Sequence, residues 1–340
     1  MMDLYTSKGY LDIPAIDRMT DAAGVSFVFI IGARQVGKTY GTLKHMIDDG
    51  RKFILMRRTQ TEADFIASGA ISPFAGMGYV DVGVRRDSKY TCAIERGEGR
   101  IGAVMALSTV AKIRGFSGAE YTDLVFDEFI PEQHVLRIKS EGDAFLNAVV
   151  TISGNREIEG KKPLKVWLLA NSNNISSPIL MTFGLTEKIE SMQAKGQEYS
   201  IMPDRGIAIF LPESAEVLKL RKKTSIFRAV GGDSDFSRMA YDNEFAYNDP
   251  ENVKHEDLSQ YRPIISITDL LTVYKHKRRA EVYISKYRKG AREELPDTER
   301  GRSAFLRSFP NCKVYFLRGK TTFESLTLKE KYLVVIGIRR

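Results

Sequence analysis

Residues 31–40 read IGARQVGKTY, and Gly32, Ala33, Arg34, Gln35, Val36, Gly37, Lys38 and Thr39 fit the pattern GxxxxGK[ST]. The glycines let backbone N–H groups turn inward around phosphate oxygens. Lys38 is placed to reach the β and γ oxygens, and the Thr39 hydroxyl suits Mg2+. A chance glycine turn satisfies the same pattern, so the flanks decide. Upstream, VSFVFII (25–31) is a short apolar run suited to a strand buried on both faces. Downstream, KTYGTLKHMIDDG reads as a helix ended by Gly50, with its positive end at the same spot. Strand, glycine turn and helix in that order predict a nucleotide site for ATP and Mg2+, with Tyr40 as its last member.

A second motif follows in LVFDEF (124–129). Three apolar residues drive a strand into the core, and Asp127 at its end is the expected holder of the Mg2+ water shell. Glu128 is the expected base for the attacking water, which favours a hydrolase over a nucleotide switch. A third strand, VWLLANSNN, ends in Asn171, a candidate γ-phosphate sensor or water-positioning group. An asparagine capping a helix or turn is the equally open alternative. Candidates for positive charge at the transition state are Arg34 in the phosphate loop and Arg156 in SGNREIEG, reaching toward a neighbouring subunit. Arg57 and Arg58, ending the strand KFILMR, contact nucleotide or stabilise the loop. For any single arginine a surface ion pair is the commoner role.

Around these motifs the first half alternates apolar runs with helical patterns, the rhythm of an α/β sheet. A helix is expected through 61–68, a hairpin with an adjoining strand over 78–107, and a helix over EGDAFLNAVVTIS, with Phe145, Leu146, Val149 and Val150 at helical spacing. The strand GIAIFL and a basic helix SAEVLKLRKKTSIFRAV lead into a linker rich in glycine, acids and asparagine. Beyond it, PIISITDLLTVY and AEVYISKY are expected as strands about the turn KHKRR, and KVYFLRG and YLVVIGI as two more. The resulting division is an ATPase domain over 1–205, a helical linker over 206–250 and a basic C-terminal domain over 251–340.

The 340 residues are 43% hydrophobic and 28% charged, as expected of a soluble globular protein. No apolar run approaches a membrane span, and MMDLYTSKGY lacks a signal core, so no membrane partner and no export are expected. Cys92 and Cys312 fit no metal-ligand spacing and read as reduced thiols. The +8 net charge is concentrated: residues 251–340 hold 20 basic against 11 acidic residues. That points to a polyanion-facing module, a solvated basic surface being the even alternative. Its candidate contacts are Lys275, Lys277, Arg278 and Arg279. Apart from that module, Lys112 and Arg114 in the glycine-flanked loop STVAKIRGFSGAEYTD are candidates to touch DNA or a neighbour's nucleotide, a plain surface loop being equally open.

With FVFIIGARQVGKTY, FILMRR, LVFDEFI, NRE, LLANSNN and RKKTSIFRAVGGDSDFSRMAYDNEF in this order, the chain resembles the DNA-packaging ATPases of small protein-primed tailed phages. It is more distantly similar to large terminases. The resemblance covers roughly residues 20–250 and implies a P-loop NTPase of ASCE type with a mainly parallel sheet. It implies a homomeric ring, usually a pentamer, on the portal of a prohead in the host cytoplasm, moving double-stranded DNA. Arg156 would then act in trans and Arg34 in cis. The C-terminal α+β domain would resemble a vestigial nuclease (RNase H-like) fold and bind DNA or a structural packaging RNA. Two-metal nuclease chemistry needs converging carboxylates, and the tail offers Asp269 and Glu281 without a clear third. Rival expectations are a nucleotide-gated nucleic-acid-binding scaffold and a packaging nuclease-ATPase. A GTPase switch lacks its guanine-reading NKxD.

Overall fold

The structure, a computed structural model, describes residues 4–112, 116, 118–131, 138, 140–172, 175, 177–212, 220, 223–225 and 252–338. It divides into two units, Met1–Tyr247 and Asn248–Arg340.

In chain order the first unit holds α1 (Ile13–Ala22), β1 (Phe27–Gly32), α2 (Lys38–Asp48), β2 (Phe53–Arg57), α3 (Gln60–Ala67) and β3 (Val82–Arg86). β4 (Thr91–Arg96), β5 (Gly99–Ala106), β6 (Asp123–Asp127), α4 (Glu141–Ser153) and β7 (Lys165–Asn171) follow. The unit closes with α5 (Pro178–Thr182), α6 (Thr186–Ala194), β8 (Tyr199–Met202) and β9 (Ile207–Phe210). The strands form one nine-stranded sheet in the order β3-β4-β5-β2-β6-β7-β1-β9-β8. From β5 to β9 every pairing is parallel; β3, β4 and β8 add antiparallel edges.

The central strands read as unbroken apolar runs because helices cover both faces. Val28, Ile30, Leu55, Val125, Trp167 and Leu169 meet Ile13, Ile16, Leu43 and Met46 of α1 and α2 on one face. On the other, Phe126 stacks on Phe145 of α4 at 5.4 Å, and Phe29 meets Phe129 and Phe183. Residues 207–210, which the sequence reading places at the head of the linker, are a strand of this sheet. Most of the expected linker helix and of RKKTSIFRAVGGDSDFSRMAYDNEF lies outside the described residues.

The second unit is a five-stranded sheet in the order β13-β10-β11-β12-β14, built from β10 (Tyr261–Ile267), β11 (Leu271–His276), β12 (Val282–Ser285), β13 (Glu293–Leu295) and β14 (Thr321–Phe323). It carries α7 (Glu299–Ser308), α8 (Cys312–Leu317) and α9 (Leu326–Val335). Three expectations are corrected here. PIISITDLLTVY is two antiparallel strands, because the chain reverses at Asp269, whose φ is 59°. KVYFLRG lies largely in helix α8, not a strand. The first four residues of YLVVIGI close α9, a helix started upstream by Ser325, whose side chain accepts from the Leu328 N–H. Its Leu328, Tyr332 and Leu333 recur at helical spacing against the β10–β12 core. The β-branched run hid that period.

Among the described residues no helix is long and apolar enough to cross a membrane.

Candidate active site

Four parallel strands end side by side in the order β2-β6-β7-β1, and their register decides which side chains meet. Gly32, the last residue of β1, pairs with Asn171 of β7. Met56 pairs with Phe126, so the next residues, Arg57 and Asp127, emerge together. The phosphate loop leaves β1 here and turns into α2. Gln35 and Gly37 have φ of 61° and 95°, the left-handed region that Gly37 adopts without a Cβ penalty. The loop is held from outside by the Leu11 N–H, which donates to the Val36 carbonyl at 3.0 Å.

Lys38 is buried, and its Nζ donates to the carbonyls of Gly32 and Ala33 at 2.9 and 2.7 Å and to Asn171 Oδ1 at 3.2 Å. Thr39 Oγ1 donates to Asp127 Oδ1 at 2.8 Å. The other Asp127 oxygen accepts from Arg57 Nη1 at 2.7 Å, while Arg57 Nη2 reaches Glu128 Oε2 at 2.6 Å. Glu128 has φ 58°, a sparsely populated setting for a non-glycine residue. Its side chain is half exposed, so the carboxylate faces solvent beside the loop.

Burial pushes the Asp127 carboxyl above the ordinary carboxylate range, against the pull of Arg57 and Thr39. Burial also works against the Arg57 charge, but Asp127, Glu128 and Glu62 outweigh it and hold its pKa above the usual value. Asp127 is therefore a buried carboxylate on which burial outweighs its partners Arg57 and Thr39. Its neighbour Thr39 adds a hydroxyl, and hard oxygen donors of this kind suit Mg2+. The helix end fits an anion equally well. The N-terminus of α1 is capped by Asp12 and that of α3 by a Thr59–Glu62 capping box, whereas α2 begins at Gly37 with no side-chain cap.

The remaining candidates fall elsewhere. Tyr40 is exposed, with its hydroxyl donating to the Gly76 carbonyl at 3.4 Å. Arg34 is half-buried in the loop. Arg156 lies in the turn after α4, only 6% exposed; its Nη2 donates to the Ala119 carbonyl at 3.4 Å. Its Nε and Nη1 have no partner among the described residues. Arg58 is not at the site: it makes a buried bidentate pair with Glu141 at 2.7 and 3.0 Å, tying β2 to the start of α4. Lys112 ends a short 3-10 turn with its Nζ 5.3 Å from the Tyr90 ring; Arg114 lies outside the described residues.

In the second unit Lys275, Lys277, Arg278 and Arg279 belong to the end of β11 and the turn into β12. That turn is held by His276, whose Nδ1 accepts from the Arg278 and Arg279 N–H groups at 3.0 and 2.9 Å. Sequence reasoning left the Arg57 clamp undecided. Its signal is register, which a single strand read alone does not carry.

Three comparisons bear on this site. The model of the Podovirus DNA encapsidation protein (Gp16) family matches residues 19–287. A DNA packaging protein of Bacillus phage B103 is 28% identical over 223 residues, covering 64% of this chain and 63% of its own length. The fold is shared with the bacteriophage Phi-29 viral genome packaging motor assembly, at TM-score 0.66 and 19% identity over 99% of this chain and 100% of the other. It is shared also with the Phi-28 gp11 DNA packaging motor, at TM-score 0.60 and 17% identity over 91% and 94%. With its phosphate loop, strand-end acids and sheet all inside the matched region, the chain belongs to the Podovirus DNA encapsidation protein (Gp16) family.

Proposed function

We propose that this protein is an ATP-hydrolysing motor of ASCE type that drives double-stranded DNA into a preformed prohead. It works as a homomeric ring, a pentamer, docked on the portal in the host cytoplasm. The observation that carries this reading is the unbroken chain Thr39–Asp127–Arg57–Glu128 across adjacent strand ends, opposite the uncapped start of α2.

The triphosphate lies along the loop from Gly32 to Tyr40, against the start of α2, which has no side-chain cap. Lys38 exchanges the carbonyls of Gly32 and Ala33 for the β and γ oxygens. Thr39 and Asp127 would hold Mg2+, which neutralises charge on the phosphate oxygens. Asn171, already on Lys38 Nζ, positions the γ-phosphate or the attacking water. Glu128 takes the proton of that water, and for this its carboxylate must leave Arg57. Arg57 thus restrains the base until the site is filled. Arg34 adds charge in cis. Arg156 serves a neighbouring subunit in trans, and since it is buried in the isolated chain that role requires the turn after α4 to open.

The C-terminal unit contacts nucleic-acid phosphates, DNA or a packaging RNA, through its basic turn, as salt-sensitive binding would reveal. We read it as a nuclease fold without its chemistry. Asp269 precedes β11 and Glu281 follows it, so the strand's length, about 20 Å at ~3.3 Å per residue, separates them.

The reading is tested by ATPase assays with and without duplex DNA and proheads. Turnover should rise with DNA and with assembly. Glu128→Gln should leave ATP binding within a few-fold and cut turnover by about 10²–10⁴. Unchanged turnover would refute the assigned base, and DNA-independent nucleotide binding without hydrolysis would favour the scaffold.

A further inference from the structure

Arg58 directly follows the clamp residue Arg57, and it is fixed at three places. Its N–H donates to Glu62 Oε2 of α3 at 3.1 Å, and its carbonyl accepts from the Ser108 N–H just past β5 at 3.0 Å. Its guanidinium forks onto the Glu141 carboxylate at 2.7 and 3.0 Å, with both side chains buried. Glu141 is as firmly set. It opens α4, whose N-cap Ser140 makes no side-chain cap bond, and a carboxylate in the first turn suits the positive end of the helix. Gly142 beside it packs so closely on α5 that a Cβ there would run into Thr182.

A buried ion pair is a poor source of stability. Desolvation of both charges offsets most of their attraction, and apolar residues of similar size often hold a fold as well or better. What the fork supplies, and an apolar contact lacks, is direction. Two parallel hydrogen bonds allow one orientation of the guanidinium and so restrict the backbone that carries it. One residue earlier, that backbone carries Arg57, whose Nη1 and Nη2 reach Asp127 at 2.7 Å and Glu128 at 2.6 Å. A single guanidinium spans both acids, so a turn of the backbone at residue 58 takes one of the two contacts away.

We propose that the Arg58–Glu141 pair is a positioning device that aims Arg57 at Glu128 and so keeps the base restrained until the site is filled. This rests on the reading of Glu128 as the base. Since Glu141 is the first residue of α4, a displacement of that helix loosens the fork and frees Glu128, although neither Arg58 nor Glu141 belongs to the nucleotide site.

The test replaces both partners in the full chain, Arg58→Met with Glu141→Leu. With both charges gone together, the denaturation midpoint should match or exceed the parent's. KM for ATP should stay within about twofold, because the groups that bind nucleotide are untouched. ATP turnover without DNA should rise at least about threefold, as the unrestrained fraction of Glu128 grows, and stimulation by DNA should shrink by the same factor. A pair that only packs has no means of raising turnover. Should the apolar pair lower the midpoint, Arg58→Lys carries the test: it keeps the charge, loses the fork and should show the same rise. Basal turnover unchanged or lowered in the folded variant overturns the proposal. A parent that binds ATP and hydrolyses none sinks the assigned base and this proposal together. A parent whose turnover ignores DNA sinks the motor reading alone, since the rise in basal turnover still decides the role of the pair.

Discussion

The parallel strands of the first unit carry a charged cluster at each end, and the two are built on the same three strands. At the starting end, Asp17 Oδ1 meets Lys165 Nζ at 2.5 Å, its other oxygen meets His45 Nε2 at 2.9 Å, and Arg51 pairs with it as well. Arg51 also lies 3.4 Å from Asp123, which further accepts from Trp167 Nε1 at 3.0 Å and Thr122 Oγ1 at 2.7 Å. Asp17, His45 and Asp49 have the spacing of a metal site, but Lys165 and Arg51 already occupy the Asp17 carboxylate. Every charge there has its opposite, and no residue takes a strained backbone.

The finishing end differs on each count. Glu128 and Gln35 hold positive φ, α2 starts uncapped, and at Asp127 burial outweighs the pull of Arg57 and Thr39. Closed pairing marks the end that holds the fold together. Strain and a burial-raised carboxylate are what the proposed nucleotide end shows instead.

The largest effect expected from breaking this contrast is at the closed end. Asp17→Asn leaves Lys165 and Arg51 without their central partner and should cost about 3–5 kcal/mol of stability, read as a lowered denaturation midpoint. ATP turnover per folded molecule should stay near normal, and a midpoint unchanged within error would show the cluster to be ornamental. Next in size is Lys38→Met at the open end. Loss of a phosphate-directed donor should reduce turnover by about 10²–10³, with the midpoint lowered far less than by Asp17→Asn. Should Lys38→Met unfold the protein instead, the open end is structural and the comparison fails.

Much of the open end was legible in the sequence because its signals are local. The phosphate loop needs its glycines, lysine and threonine in one run, and LVFDEF announces both a buried strand and its terminal acids. The closed end was illegible. Asp17, Asp123 and Lys165 are far apart in sequence and join only through the crossover order of the sheet. The Arg57 clamp was half legible: the strand was clear, its partner strand was not. In the second unit, periodicity misled where β-branched residues crowd the end of α9, because the N-cap at Ser325 lies outside the run that looked like a strand. Leu146 and Val150 fit their helical period correctly, but both are exposed, and period alone does not tell a buried face from an exposed one.

The smallest expected effect tests the electrostatic half of the contrast. Asp17 is held well below the usual carboxylate range: burial opposes this, but His45, Lys165 and Arg51 outweigh burial. Its ionised form therefore favours the folded state, and that stabilisation is lost as pH falls below the ordinary value of 3.8. Asp127 is shifted the other way by burial, so above 3.8 the native state holds its proton more tightly than the unfolded chain does. Its contribution to stability consequently falls as pH rises through its folded pKa, and ionisation there costs the fold something. Asp127→Asn should remove that cost. With Arg57 still paired to Glu128, the neutral-pH midpoint should stay within about 1 kcal/mol of the parent or rise, since an amide spares the desolvation of a buried charge. Denaturation midpoints measured from pH 3 to 8 would show the opposite slopes as separate losses in Asp17→Asn and Asp127→Asn. If Asp127→Asn destabilised the fold as much as Asp17→Asn, Asp127 would be a structural anion like its counterpart, and its place in the nucleotide site would lose its electrostatic support.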